Sequence, residues 1–255
     1  MTVYFIGAGP GAYDLITVRG LNLIKYCPIC LYAGSLVSEE LIAEIPPTVR
    51  LVNTGHLDLD AIVEEFIKAE EAGMDVARLH SGDPSIYSAI GEQMAALDRL
   101  SINYEVVPGV SAYAAAAAAM KQELTLPALN QSLVLTRTAV NSTAMPELQT
   151  LTNLGKAQAT MAIHLSAKNI AAIQEELLPI YGSDCPVVVA YHISWPDEKI
   201  IHGKLSDIDT KIKQAGIEKT AIIFVGRALE PDKFSRSSLY AFAHGPLGKT
   251  CKQNQ

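Results

Sequence analysis

Cysteine is scarce in this chain. Four cysteines stand in 255 residues, at positions 27, 30, 185 and 251. That is too few to staple a chain of this length, which excludes a disulfide scaffold. Positive charge is also short: 20 Lys and Arg face 27 Asp and Glu, for a formal net charge of −7. Nucleic-acid binders show a basic excess instead, so no nucleic-acid partner is expected. No long apolar run is present. The alanine-rich stretch at 112–120 is too short to cross a bilayer, and no membrane partner is expected. The opening Met1-Thr2-Val3-Tyr4-Phe5-Ile6-Gly7 lacks the basic flank and apolar core of a signal peptide. The expectation is a reducing, cytoplasmic setting.

Chemical signatures are missing as well. The six histidines are scattered, with no helical ligand pair, and no Gly-x-Ser-x-Gly elbow occurs. A metal centre or a side-chain nucleophile therefore finds no support. Cys27-Pro28-Ile29-Cys30 has redox spacing, but it precedes a strand, whereas a redox pair opens a helix. Two structural thiols are expected there. Gly248-Lys249-Thr250 imitates a phosphate-binding loop, yet Ala243 stands where that loop needs glycine and only five residues follow.

What is present is a well-filled α/β pattern. Hydrophobic residues make up 49% and charged residues 18%, ample for a core. Short apolar runs predict strands at 3–6, 29–33, 75–79 and 104–107. Between them, helical spacing predicts a helix at 15–25 with Asp14 as its N-cap. Further helices are expected at 57–72, at 86–100 and, alanine-rich, after Ser111. A second series follows Leu126-Pro127, with strands at 133–136, 161–165, 186–192, 199–205 and 221–225 and a helix at 169–178. A loop with a short helix is expected at 141–155. The alternation predicts an α/β fold, and the near-continuous apolar strands predict mostly parallel or mixed sheets. Two domains are expected, 1–127 and 128–245, followed by a frayed tail.

Three strand-to-helix loops stand out as candidate sites, because ligands of open α/β sheets bind at the carboxyl ends of strands. The first is Gly7-Ala8-Gly9-Pro10-Gly11. Its context suits a dinucleotide, but Pro10 removes an N–H. No acid lies in or just after the second strand to hold a ribose; the first is Glu39. A tight turn that lets something approach the backbone closely is the better reading. The second loop is His80-Ser81-Gly82-Asp83-Pro84-Ser85-Ile86-Tyr87-Ser88, where Asp83 either caps the next helix or faces a ligand. The third is Val107-Pro108-Gly109-Val110-Ser111-Ala112, with Ser111 at a helix start.

Taken together and in order, these loops resemble those of the tetrapyrrole (corrin/porphyrin) methyltransferases. The quoted marks are the Gly7–Gly11 cluster with Asp14-Leu15-Ile16-Thr17 behind it, Ser81-Gly82-Asp83-Pro84, Val107-Pro108-Gly109-Val110-Ser111-Ala112, and Thr220-Ala221-Ile222-Ile223-Phe224-Val225-Gly226-Arg227. The segments Cys30-Leu31-Tyr32-Ala33-Gly34-Ser35-Leu36-Val37, Ile86-Tyr87-Ser88-Ala89-Ile90-Gly91-Glu92-Gln93 and Leu133-Val134-Leu135-Thr136-Arg137-Thr138 narrow the resemblance to enzymes that methylate a ring carbon of a corrin precursor. The resemblance implies two α/β domains with an interdomain cleft for S-adenosylmethionine, a homodimer, and an acidic tetrapyrrole as substrate. It implies cofactor contacts at Pro10, Ser81, Gly82, Asp83, Ile86, Ser111, Ala112, Leu165, His192, Ile193, Thr220 and Ala221. Substrate contacts are implied at Gly9, Gly11, Tyr87 and Arg137, with Arg19 and Arg78 as further candidates for carboxylates. Asp83 is the polar group expected nearest the chemistry. The rival readings are a methyltransferase of the same fold acting on another corrin or siroheme precursor carbon, and a nonenzymatic ligand-binding module.

Overall fold

The computed structural model describes residues 1–139 and 143–230. The readings at 141–142, the tail after 245, the imitation phosphate loop at 248–250 and Cys251 lie outside the described residues. The chain forms two compact units. The first comprises Met1–Ala119 together with His192–Glu198, and the second Met120–Tyr191 with the chain from Lys199 onward. The division therefore falls at 119/120, ahead of Leu126-Pro127. Nothing in the sequence marks 192–198 as part of the first unit.

The first unit runs β1 (Thr2–Gly7), α1 (Val18–Tyr26), β2 (Ile29–Tyr32), α2 (Glu39–Ala43), β3 (Arg50–Asn53), α3 (Leu59–Glu71), β4 (Val76–His80), α4 (Ile90–Leu100), β5 (Asn103–Val107) and α5 (Ala112–Ala119). Its five strands lie in the order β3-β2-β4-β1-β5, every pair parallel. Strand alternation sends Val3 and Phe5 to one face, where they pack with Ile62, Phe66, Ile90 and Leu97 of α3 and α4. Ile6 goes to the other face and packs with Ile24 of α1 and Leu41 of α2. The order places β4 between β2 and β1, unlike a dinucleotide fold, where β1 adjoins β2. Because α1 and α4 leave to opposite faces, the sheet changes direction at β1 and β4. A ligand site is expected outside their carboxyl ends.

Local expectations needed correcting at helix starts. Asp14 does not cap α1. It lies in a short 3-10 turn at Tyr13–Leu15, and Thr17 caps the helix by accepting from the Gly20 N–H at 3.1 Å. The helix expected from residue 86 starts at Ile90, because Tyr87 (φ 56°) and Ala89 (φ 51°) are left-handed. Asp83 caps nothing there: Ala89 is the N-cap residue and makes no side-chain cap bond. Both β3 and α2 went unforeseen. β3 is mostly exposed and has no apolar run to announce it.

The second unit runs β6 (Leu133–Arg137), α6 (Leu151–Gly155), β7 (Thr160–His164), α7 (Ile170–Tyr181), β8 (Pro186–Tyr191), β9 (Lys199–Lys204), α8 (Ile208–Ala215) and β10 (Ala221–Val225). Its five-stranded sheet has the order β6-β7-β10-β8-β9. Only the β6/β7 pair is parallel; the other three are antiparallel. This sheet is mixed, within the expected mostly parallel or mixed sheets, and its continuous apolar runs do not by themselves set strand direction. They report burial of both strand faces: Met161 and Ile163 join the core with α7, while Ala162 and Phe224 are fully buried as well.

Candidate functional site

The three candidate loops of the first unit meet, because β4, β1 and β5 are neighbours and all three loops leave their carboxyl ends. The first and second are stitched by backbone. Gly82 N–H donates to the Gly9 carbonyl at 2.7 Å, Gly9 N–H returns a bond to the Gly82 carbonyl at 3.3 Å, and Ala8 N–H donates to His80 at 2.8 Å. Gly9 (φ +81°) and Gly82 (φ +66°) hold left-handed conformations that suit glycine. The third loop presses against both. A Cβ on Gly109 would stand 2.2 Å from the Gly82 carbonyl oxygen and 2.7 Å from Gly7 Cα. The close approach anticipated at the first glycine cluster is therefore, at Gly7, the protein's own third loop. Three N–H groups of the first loop, at Ala8, Gly9 and Ala12, are engaged within the protein, so it forms no phosphate cradle.

Asp83 ties the second loop to the third. One carboxylate oxygen accepts from Ser85 N–H at 2.8 Å and the other from Gly109 N–H at 2.9 Å. Ser81 and Ile86 flank it half-buried, Tyr87 is exposed, and Ser111 and Ala112 open α5. Two backbone N–H groups of α5, at Ala114 and Ala115, donate to the Ser111 carbonyl.

The loop His192–Glu198, which joins β8 to β9, supplies contacts that sequence reasoning missed. Trp195 Nε1–H donates to the Pro10 carbonyl at 3.0 Å, and Ser194 Oγ accepts from Ala12 N–H at 3.0 Å. The indole lies against Gly11, where a Cβ would come within 2.3 Å of Nε1. His192 and Ile193 thus lie in the same unit as the three loops. The His192 ring pairs with Asp197 at 2.9 Å and sits 5.9 Å from the Trp195 ring. A lone tryptophan carries no periodic signal in the sequence.

The remaining candidates share one edge of the second unit's sheet. Arg137 pairs in register with His164, the last residue of β7, and Leu165 follows it. Ala221 pairs with Tyr191 at the start of β10, with Thr220 just before. Leu165 is left-handed (φ 55°) and its apolar side chain is 68% exposed; Thr220 is left-handed too (φ 54°). Strained residues of this kind gather where a ligand or switch needs them. Arg137 donates to the carbonyls of Thr138 and Thr143.

Several side chains fall away from the site. Arg78 cannot reach a carboxylate in solution: it is buried, donating to Gln93 Oε1 at 3.2 Å and Thr54 Oγ1 at 2.9 Å. Burial lowers its pKa to about 10, so it stays cationic at neutral pH. Arg19 lies on α1, beside a surface depression it lines with Tyr4, Tyr26 and Glu105. Cys27 and Cys30 are fully buried free thiols, both pushed up to about 12 by burial and therefore inert. Among the described residues no group of three His, Cys, Asp or Glu could hold a metal ion, and no helix is long and apolar enough to cross a membrane.

The family model of the Tetrapyrrole (Corrin/Porphyrin) Methylases matches residues 2–209. The chain belongs to the tetrapyrrole methylases. A Precorrin-4 C(11)-methyltransferase of Sinorhizobium sp is 53% identical to this tetrapyrrole methylase, over 94% of this chain and 95% of its own. A Cobalt-precorrin-4 C(11)-methyltransferase of Methanocaldococcus jannaschii is 44% identical, over 93% and 92%. The X-ray structure of a cobalt precorrin-4 methyltransferase, a cobalamin biosynthetic enzyme, superposes with a TM-score of 0.87 at 42% identity, covering 90% of this chain and 96% of that one. Three of the four tetrapyrrole-methylase marks quoted from the sequence are the loops the fold gathers at β1, β4 and β5; the fourth, at 220–227, covers β10.

Proposed function

We propose that this chain transfers a methyl group from S-adenosylmethionine to C-11 of precorrin-4 or cobalt-precorrin-4, a step of cobalamin biosynthesis. The observation that carries the reading is near-complete alignment, at 53% identity over 94% of the chain, with a Precorrin-4 C(11)-methyltransferase. Relatives named for the metal-free acceptor are nearer (51–54%) than those named for the cobalt form (44%). That ordering favours precorrin-4. The reading includes a homodimer in the cytoplasm; light scattering on the purified protein checks the first.

The residues suit such a cofactor. The loops 7–12, 81–88 and 108–112 contain no Lys or Arg and one carboxylate, Asp83. A sulfonium therefore meets no repulsion from side chains in these loops. S-adenosylmethionine supplies an already activated methyl group, so the protein's task is orientation and electrostatics. Ser81, Gly82, Asp83 and Ile86 on the second loop are assigned to its homocysteine side, and Ser111 and Ala112 on the third loop are assigned as further cofactor contacts. Gly9, Gly11 and Tyr87 are assigned to the tetrapyrrole, and Arg137 to one of its carboxylates. Rigid loops are what this chemistry rewards, since correct alignment of the reacting atoms can be worth roughly 7–11 kcal/mol. Asp83 contributes by fixing two loops together.

The test is to incubate the protein with methyl-labelled S-adenosylmethionine and precorrin-4 or its cobalt complex, and to locate the label by carbon NMR. Label at C-11 is expected, with the metal-free acceptor preferred. Label at another ring carbon would move the chain to a different enzyme of the family, and binding without transfer would make it a ligand-binding module.

A further inference from the structure

We infer that the loop His192–Glu198 is a strap whose Trp195 and Ser194 are positioning residues: they hold the first loop so that its outer surface receives the macrocycle. The inference rests on the functional reading above and adds to it the residues that shape the tetrapyrrole side. Pro10, Gly11 and Ala12 form a short irregular turn without a ladder of their own. Its exposed polar groups would otherwise need water. Trp195 takes the Pro10 carbonyl and Ser194 takes the Ala12 N–H, both at 3.0 Å.

The strap is braced for this task. Ser194 N–H donates to Glu198 Oε2 at 2.7 Å, and Trp195 N–H donates to the His192 carbonyl at 3.0 Å. His192 (φ 44°) and Ser194 (φ 66°) are both held left-handed without being glycine, a strain that persists only where surroundings over-determine it. Gly11 completes the fit, since any side chain there would occupy the indole's place. With the Pro10 carbonyl and the Ala12 N–H taken by the strap, the side chains left at the turn are the half-buried Pro10 ring and, just beyond it, the exposed Tyr13 (47%) and Asp14. The proline and tyrosine rings offer apolar surface to the hydrocarbon face of a macrocycle.

The experiment uses Trp195→Phe, which keeps a ring and deletes the donor, and Ser194→Ala, which deletes the acceptor. Each should raise the KM for precorrin-4 about tenfold, with kcat changed less than threefold. The Kd for S-adenosylhomocysteine, by calorimetry, should stay within twofold of the parent. A structural defect would shift all three together. An unchanged KM in either folded variant overturns the inference, and Ser194→Ala decides it if Trp195→Phe fails to fold. Trp195 is the sole tryptophan, so its emission reports on the strap without turnover. Titrating precorrin-4 into the parent protein in the presence of S-adenosylhomocysteine should quench that emission, and S-adenosylhomocysteine alone should leave it unchanged. Quenching in a protein that transfers no methyl group would sink the functional reading and leave the strap standing. The reverse pattern, response to the nucleoside alone, would sink the strap.

Discussion

At the scale of single residues, Asp83 shows how a motif can be legible while its role is not. The sequence offered a helix cap or a ligand contact; the side chain caps no helix, and it accepts from Ser85 and Gly109, joining two loops. A charge-assisted bond of this kind contributes roughly 1.5–3 kcal/mol, and since the exposed Ser85 N–H can turn to water, the Gly109 bond carries most of the tie. Asp83→Ala is therefore expected to lose about 2–3 kcal/mol of stability in urea unfolding. Asp83→Asn, which retains one acceptor, should lose about half as much. If Asp83→Ala unfolds at the parent's urea midpoint, the tie carries no weight and the carboxylate is free for a ligand. The same limit of sequence reading applies to Arg78. As an arginine near a candidate loop it invited a carboxylate, yet its partners are Thr54 and Gln93, distant in sequence and silent in any local pattern. Trp195 was missed for the same reason, since its partner Pro10 is 185 positions away.

At the scale of elements, what sequence could show was set by periodicity. Strands buried on both faces, such as β4 and β7, announce themselves as apolar runs. The mostly exposed β3 does not. Helix starts depended on left-handed residues at Tyr87 and Ala89 that no propensity foretells. Glycine was the most informative residue, because the motif glycines mark backbone contacts. Gly7 and Gly109 touch backbone to backbone, with Gly82's carbonyl beside them. Gly109→Ala would set a methyl 2.2 Å from that carbonyl oxygen, and no side chain can swing aside to relieve it. A loss of about 3 kcal/mol or more is expected, the upper end of overpacking effects, together with weaker S-adenosylhomocysteine binding as the second and third loops part. Gly91→Ala is the matched control. It lies in α4 with nothing within 4 Å of its missing Cβ, and should gain about 0.5–1 kcal/mol from helix propensity. Equal stability of the two variants would show that the loop contact is not tight.

At the scale of the whole molecule, each unit buries one histidine among its described residues, near the end of an interior strand, and both are kept neutral. His80 ends β4 with Nε2 buried and unbonded, its pKa lowered to about 3 by burial and by the nearby Arg78 charge. His164 ends β7, and burial lowers its pKa to about 4. An unfolded histidine titrates near 6.5, so between about pH 6.5 and 4 the unfolded chain binds more protons than the folded one. Stability therefore rises with pH through this window. It is fully present above the unfolded value and is lost as pH falls toward the folded values. Each histidine contributes a slope of up to about 1.4 kcal/mol per pH unit. The lowered carboxylates at Glu65 and Asp207 act in the same direction but only at lower pH, since their ordinary values are 4.5 and 3.8. Urea unfolding at pH 7.5, 6.5, 5.5 and 5.0 should show little change over the first step and a steep loss over the last two. Replacing both histidines by glutamine removes the titrating groups, so the curve between pH 6.5 and 5.0 should flatten whatever the absolute stability becomes. A parent protein equally stable at pH 7.5 and 5.0 would mean that these imidazoles reach solvent or a proton acceptor in the folded state, and that the two strand ends are less dry than their burial indicates.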